Sequence, residues 1–255
     1  MSFPCTSGAR ITTNQPREFL GADLRGARFE RCDLSGAVMR SVDLQAADLD
    51  APWLMEEGGS LLVNGIDVAP LVQAELDRRF PGRSERRAAD PGGLRSAYAA
   101  VEDAWATAVD RVEDMPRGTV EVCVDGEWSF AQTVRHLVLA TDIWLRGAVY
   151  GIVDPLHPIG QPHAEYASDG YDMSVFSATR PSYDEVLAVR AGRQAMVRDY
   201  LASATSETLA RDCPHPWAPA RKVTALHCVH TIIGEEWEHL RFALRDLDLI
   251  ETREA

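Results

Sequence analysis

The hydrophobic positions of the chain change their period near residue 60, from a repeat of five to the spacing of amphipathic helices. Beyond that point apolar residues recur every three or four positions, which predicts helices over 68–80, 93–115, 129–151, 182–202 and 223–249. Ser129 with Gln132 and Ser182 with Glu185 form capping-box patterns at two of the predicted starts. Long helices joined by loops are typical of a helical bundle.

The segments between these helices carry weaker patterns. Residues 119–128 alternate in polarity and contain Asp125-Gly126, so we expect a short hairpin or an extended crossing there. Residues 151–181 are rich in Pro, Gly and His, which predicts a long irregular loop of the kind that usually carries function. A second loop is expected at "DCPHPWAPA", just before the last helix.

The period of five runs over residues 17–56. Its large apolar positions are Phe19, Leu24, Phe29, Leu34, Met39, Leu44, Leu49 and Leu54, and mostly small residues lie two positions before them. Neither a helix nor a strand has this period. The units "ADLRG", "CDLSG", "VDLQA" and "ADLDA" resemble the pentapeptide-repeat family. That resemblance implies a short right-handed four-sided β-helix of about two coils, whose open ends should need packing against something else.

Composition narrows the partners and the compartment. The 255 residues carry a net charge of −13, so we expect no nucleic-acid partner. The first fifteen residues lack the basic and apolar regions of a signal peptide, and no apolar run reaches the ~18 residues of a membrane span. The 5 cysteines are scattered, which favours a reducing cytoplasm. We expect two domains, 17–56 and 60–250, and leave a homodimer open.

The last predicted helix carries "GEEWEHLRF", with Glu235 and His239 one turn apart. At 100° per residue these two side chains lie about 40° apart, on an apolar stripe that should face the core. Glu236 and Glu238 point about 100° and 60° away from Glu235, so we expect them to face solvent. Two ligands at i and i+4 can reach one metal ion, although such a pair is also common on surfaces.

A third candidate ligand is His136, on the mainly apolar face of the helix 129–151. Opposite Glu235 and His239 it would complete a His/Glu/His set, which is typical of catalytic zinc when a fourth position stays open. The alternative is a structural histidine hydrogen-bonded in the core. His227 and His230 form a rival pair, but they lie off the stripe of Glu235 and His239.

Two segments carry a second resemblance: "DGEWSFAQTVRHLVLATDIWL" and "HCVHTIIGEEWEHLRFALRDLD". They resemble the signature segments of the DinB-like superfamily of four-helix metalloproteins. The resemblance implies a mainly α chain, with a four-helix DinB-like bundle after the pentapeptide-repeat β-helix. Many members bind metal with three histidines, whereas the branch similar to mycothiol-dependent maleylpyruvate isomerase uses His, Glu and His. Matched residue by residue, that set is His136, Glu235 and His239.

The resemblance implies an enzyme with a divalent metal, most simply zinc, and a thiol cosubstrate such as mycothiol. The metal would activate the thiol, or water, for S-transfer or isomerisation of a small electrophile. Arg135 and Arg241 are candidates for binding a carboxylate, and Cys228 is a candidate near the substrate, although a buried cysteine is usually a small hydrophobe. The alternative is a non-catalytic interaction protein whose repeats dock a partner and whose bundle metal is structural or absent.

Overall fold

The computed structural model describes residues 18–52, 54 and 58–254, and the chain divides between residues 51 and 52 into two compact units. Residue 17 and residues 55–57, which the sequence analysis placed at the ends of the repeats and at the domain boundary, lie outside the described residues. Among the described helices, none combines the length and apolarity that crossing a membrane requires.

The first unit turns every five residues. The backbone is left-handed at Gly21, Gly26, Arg31, Gly36, Ser41 and Ala46. Every second turn is closed by an aspartate whose carboxylate accepts a hydrogen bond from the backbone N–H two residues later. Asp33, for example, accepts from Ser35 N at 2.9 Å. The period of five is therefore a period of turns. No strand is assigned within residues 18–52, so the right-handed β-helix stays an inference from the repeats.

The large apolar side chains of the repeats are between 45% and 62% exposed, at Phe19, Leu24, Phe29, Leu34, Met39, Leu44 and Leu49. The resemblance to pentapeptide repeats implies instead that these residues fill the inside of each coil. Eight repeats supply only about two coils, and a repeat buries its apolar face mainly against neighbouring repeats. So short a segment cannot enclose its own interior, and its apolar row remains accessible.

The second unit is built on four long helices: α2 (Pro91–Asp114), α3 (Phe130–Thr141), α4 (Tyr183–Ser203) and α6 (Ala225–Glu254). A π-helix, Asp142–Val149, continues α3 in the same direction. α2 and α3 each pack against both α4 and α6, so the four helices close a square around one core. The predicted mainly α four-helix bundle is thereby confirmed.

Smaller elements complete the unit. They are β1 (Leu62–Val63), β2 (Ile66–Asp67), α1 (Ala69–Arg79), α5 (Ser206–Leu209), β3 (Asp212–His215), β4 (Ala218–Thr224) and 3-10 turns at 83–87, 119–121 and 173–175. β1 pairs with β2, and β3 with β4, each as an antiparallel hairpin.

Two sequence expectations were wrong about strands. Residues 119–128 form a 3-10 turn and a tight turn with positive φ at Asp125 and Gly126, and no strand. Of the alternating valines in this stretch only Val124 is fully buried, whereas Val122 is 43% exposed, so the alternation does not mark one face of a strand. Conversely, the expected loop at 212–220 belongs to the β3–β4 hairpin, in which Cys213 pairs with Val223. Cys213 and Val223 are the buried residues of these two strands. Because the other strand residues are largely exposed, the sequence of the hairpin shows little of the apolar alternation that predicts a strand.

The structure also corrects the expected solvent face of α6. Glu236 is 1% exposed, and its carboxylate accepts a hydrogen bond from Arg190 on α4. Its backbone carbonyl accepts from Trp105 Nε1 on α2 at 3.1 Å. Because α6 packs against α2, α3 and the π-helix, its buried arc is wider than one stripe, and a residue 100° from the ligand face still lies in the core. Glu238 is partly buried and pairs with Arg83 and Arg241.

We predict that Glu236→Gln lowers the free energy of unfolding by about 3–5 kcal/mol, since it leaves the buried Arg190 guanidinium without its counter-charge. Urea denaturation followed by circular dichroism measures the change. Glu251→Gln on the same helix is the matched control, because Glu251 pairs with Arg111 at the surface and should cost less than about 1 kcal/mol. Equal losses in the two variants would contradict the buried pair.

Candidate metal site

His136 is positioned by the start of α3. Ser129 caps this helix: its Oγ accepts from Gln132 N at 3.3 Å, while Ser129 N donates to Gln132 Oε1 at 3.0 Å. Both halves of the predicted capping box are thus present. The cap fixes where the first turn begins and hence the direction in which His136, two turns along, leaves the helix.

Glu235 and His239 reach the same point from α6. One ligand atom from each of His136, Glu235 and His239 lies within 4.8 Å of the others. Glu235 Oε2 is 3.1 Å from His239 Nε2 and 3.5 Å from His136 Nε2. The structure therefore brings together all three residues that the sequence proposed as ligands. Within the described residues, no fourth His, Cys, Asp or Glu joins them.

The tautomer of His136 is set by the loop after α3. His136 Nδ1 lies 2.9 Å from the carbonyl oxygen of Gln161, which can only accept, so Nδ1 carries the proton. The lone pair of the neutral ring is then on Nε2, the atom that faces Glu235. The Nε2 lone pair of His136 and the carboxylate oxygen of Glu235 that it faces can both coordinate a cation. An imidazole whose other nitrogen is hydrogen-bonded to a backbone carbonyl is the usual arrangement at metal sites. The residues present fit a divalent metal.

The site is open on one side. The Glu235 side chain is 31% exposed, although the apolar stripe on which it lies was expected to face the core. Trp128, just before the cap of α3, covers another side of the site. Its ring lies 4.7 Å from the ring of His136, centroid to centroid, and it stacks on the ring of His239 at a centroid distance of 5.9 Å. A small ligand can therefore approach past Glu235, against an aromatic wall.

Electrostatics keep the ligands ready to bind metal. Burial raises the pKa of the Glu235 carboxyl, but the neighbouring imidazoles of His136 and His239 outweigh it and hold that pKa well below its usual value. Burial lowers the pKa of His239, and this outweighs the opposing effect of Glu235. At neutral pH Glu235 is therefore ionised and His239 is neutral, which are the forms that coordinate metal.

The two candidate arginines have different surroundings. Arg135 donates from Nε to Ile159 O at 2.7 Å and from Nη2 to Ala178 O at 3.2 Å, so it binds the loop 151–181. Arg241 donates to Glu238 at 3.1 Å, and its guanidinium carbon lies 4.4 Å above the ring of Phe242, whose edge meets His239. Arg241 thus lies one side chain away from the site.

Cys228 is not a neighbour of the three ligands. It is fully buried and lies seven residues before Glu235, about 10 Å along the helix axis. Burial, with a contribution from nearby Cys213, raises the pKa of the Cys228 thiol to about 12. A protonated, enclosed thiol is a poor nucleophile. The structure therefore favours its interpretation as a small hydrophobe.

The remaining histidines lie elsewhere. His227 and His215 both contact Trp144, and His230 Nε2 bonds to Ala88 O at 2.8 Å. His163 in the loop lies 3.7 Å from Asp169, and His157 Nδ1 accepts from Ile159 N at 3.2 Å.

Two contributors were missed from sequence. Gln161 acts through its backbone carbonyl, which any residue would supply, so no side-chain signal could have indicated it. Trp128 was visible in "DGEW", and its place directly before a capping residue that leads to a candidate ligand was the available signal.

The fold and the cluster of ligand atoms together define a four-helix bundle with a candidate metal centre between α3 and α6, the second and last of its long helices. The DinB superfamily model matches residues 69–243, and the chain belongs to that superfamily. A second model, for pentapeptide repeats, matches eight copies over residues 18–51. Comparison with curated proteins gave no match, and neither did comparison with solved structures.

We predict that Cys228 does not react in the native protein. With a pKa of about 12, only about one thiol in ten thousand is ionised at pH 8, and the side chain is enclosed. In a titration with a chromogenic disulfide, Cys228→Ala should leave the number of fast-reacting thiols unchanged. Cys123→Ala is the control, since Cys123 is exposed and its loss should remove one fast thiol. Loss of a fast thiol in Cys228→Ala would overturn this assignment.

Proposed function

We propose that this protein is a metal-dependent enzyme that uses a small thiol, such as mycothiol, for S-transfer to a small electrophile or for its isomerisation. The observation that carries the proposal is the convergence of His136, Glu235 and His239 within 4.8 Å, with Nε2 of His136 left as a lone-pair donor by the Gln161 carbonyl. Two neutral imidazoles and one carboxylate would hold a divalent ion, most simply Zn²⁺.

The charge of this ligand set favours an anionic fourth ligand. A divalent ion with one carboxylate and two neutral histidines keeps a net charge of +1, which stabilises a thiolate or hydroxide beside it. When bound, the metal supplies Lewis acidity that lowers the pKa of a coordinated thiol or water. Zinc accepts sulfur readily, which favours the thiol.

The chain's own residues complete the assignment. His136 and His239 would each supply a ring nitrogen to the metal, and Glu235 would supply the one negative charge. Trp128 limits water on the side that it covers. Arg241, whose guanidinium lies against Phe242 beside His239, is proposed to bind a carboxylate of the thiol or of its substrate. The loop 151–181 is proposed to enclose the cosubstrate.

We predict that the purified protein, refed with zinc, binds about one ion per chain, because the three ligands define one site. His136→Ala and His239→Ala should each lose stoichiometric metal in elemental analysis. His163→Ala is the matched control, since His163 is a loop histidine beside Asp169 and should leave the metal content unchanged. Wild-type protein without stoichiometric metal after refeeding would refute the site.

We also predict that the metal-loaded protein consumes mycothiol with an electrophilic bimane, that a chelator abolishes this turnover, and that zinc restores it. In cobalt-substituted protein, the thiol should add a sulfur-to-metal charge-transfer band in the near ultraviolet. Metal binding without either signal, across several small thiols, would refute the thiol assignment and leave the metal site standing.

The second candidate function is a non-catalytic interaction protein. The observation that favours it is the exposed apolar row of the repeats, a surface of the kind that partners cover. Against it, structural zinc is usually closed by four protein ligands, and only three converge among the described residues. The thiol assay above separates the two candidates.

A further inference from the structure

Arg135 is bonded to two parts of the loop 151–181, through both its side chain and its backbone. Its guanidinium donates to Ile159 O at 2.7 Å and to Ala178 O at 3.2 Å. Its own carbonyl accepts from Gln161 N at 3.3 Å. A fourth hydrogen bond joins the two parts of the loop that Arg135 contacts, since Ala178 N donates to Pro158 O at 3.3 Å. Arg135 therefore holds residues 158–161 and residue 178 in one place.

The segment 158–161 also orients His136, the residue next to Arg135 on α3. Gln161 donates its N–H to the carbonyl of Arg135 and accepts the Nδ1–H of His136 on its own carbonyl, at 2.9 Å. Two neighbouring helix residues thus grip one loop residue from two directions. Any shift of Gln161 moves the acceptor that fixes the ring orientation and the tautomer of His136.

The position of Arg135 argues against a purely superficial role. The side chain is partly buried against a cavity of about 440 Å³ that Gln132 and Arg180 also line. Hydrogen bonds from a charged donor in such surroundings are stronger than neutral ones. Two of the guanidinium's nitrogens are already bonded to loop carbonyls, so its arrangement suits holding the loop better than binding a substrate.

We propose that Arg135 is a positioning residue for the metal site: it fixes the segment 158–161, and through the Gln161 carbonyl it holds His136 with Nε2 directed at the metal position. This inference rests on the metal site of the proposed function. By reciprocity, occupation of the site should in turn stabilise the hydrogen bonds of this segment.

The sign of one substitution separates this role from simple electrostatics. A guanidinium near a divalent ion repels it, so removing the charge alone should tighten metal binding. Loss of a positioning residue should instead weaken binding, by about 10- to 100-fold for an outer-shell partner. The two explanations therefore predict changes in opposite directions.

The test uses Co²⁺ on the full-length chain. Arg135→Gln should raise the Kd for Co²⁺ by about 10- to 100-fold and alter the visible d–d spectrum. Arg135→Lys should recover part of the affinity, because it restores one charged donor. Arg180→Gln is the matched control: Arg180 lines the same cavity but is exposed, and its loss should leave Kd and spectrum at wild-type values.

Amide hydrogen exchange supplies a readout that does not depend on activity. Adding metal should slow exchange at Gln161 and its neighbours in wild type, and this protection should shrink in Arg135→Gln. If Arg135→Gln also perturbs folding, Arg135→Lys and the exchange data still decide the question. Wild-type affinity in Arg135→Gln, tighter binding, equal weakening in Arg180→Gln, or full metal-induced protection in Arg135→Gln would each overturn the inference. Absence of metal binding in wild type would instead refute the proposed function on which it rests.

Discussion

The rotation of α6 about its own axis is set by the buried ion pair between Glu236 and Arg190, and the candidate site depends on that rotation. A carboxylate that is 1% exposed needs a cationic partner, and α4 supplies it at one place only among its described residues. Trp105 on α2 holds the backbone of the same residue. Glu236 is held toward α2 and α4. Glu235, the preceding residue, points about 100° away from it around the helix axis and so faces His136 on α3.

The other half of the site is held from the loop side. The π-helix after α3 begins at Asp142, which is fully buried and accepts from Arg193 Nε at 2.6 Å and from His157 N at 2.8 Å. Arg146 donates to the Pro155 carbonyl nearby. Asp142 thus anchors the start of the loop, and Arg135 anchors its middle and end. A loop that looked irregular in sequence is fixed to the helix that carries His136.

Sequence periodicity gave the long helices and their caps, because burial of one face and the chemistry of a helix start both depend on nearby residues. It also paired Glu235 with His239, since that relation lies within one turn. The contacts that it could not reveal join residues far apart in the chain. Glu236 was assigned to solvent because the wheel shows direction but not how many helices surround it. The role of Gln161 was invisible because a carbonyl belongs to every residue.

The pattern of apolar residues made His136 a candidate for the third ligand but left a structural histidine as the alternative. The resemblance to a known superfamily favoured the ligand, since spacing alone could not connect His136 with residues about a hundred positions later. Residues 212–224 show the converse limit. A hairpin with three prolines and few buried side chains has neither a periodic pattern nor favourable strand propensities, so only tertiary context defines it.

The unbroken length of α6, Ala225–Glu254, restricts how this chain can vary over evolutionary time. Inserting or deleting one residue in a helix rotates everything beyond it by about 100°. Here such a change between Val229 and Gly234 would turn Glu236 away from Arg190 and carry Glu235 away from His136 in the same step. Differences in length among related chains should therefore collect in the loops and hairpins, while this helix keeps its residue count between the core residues and the candidate ligands.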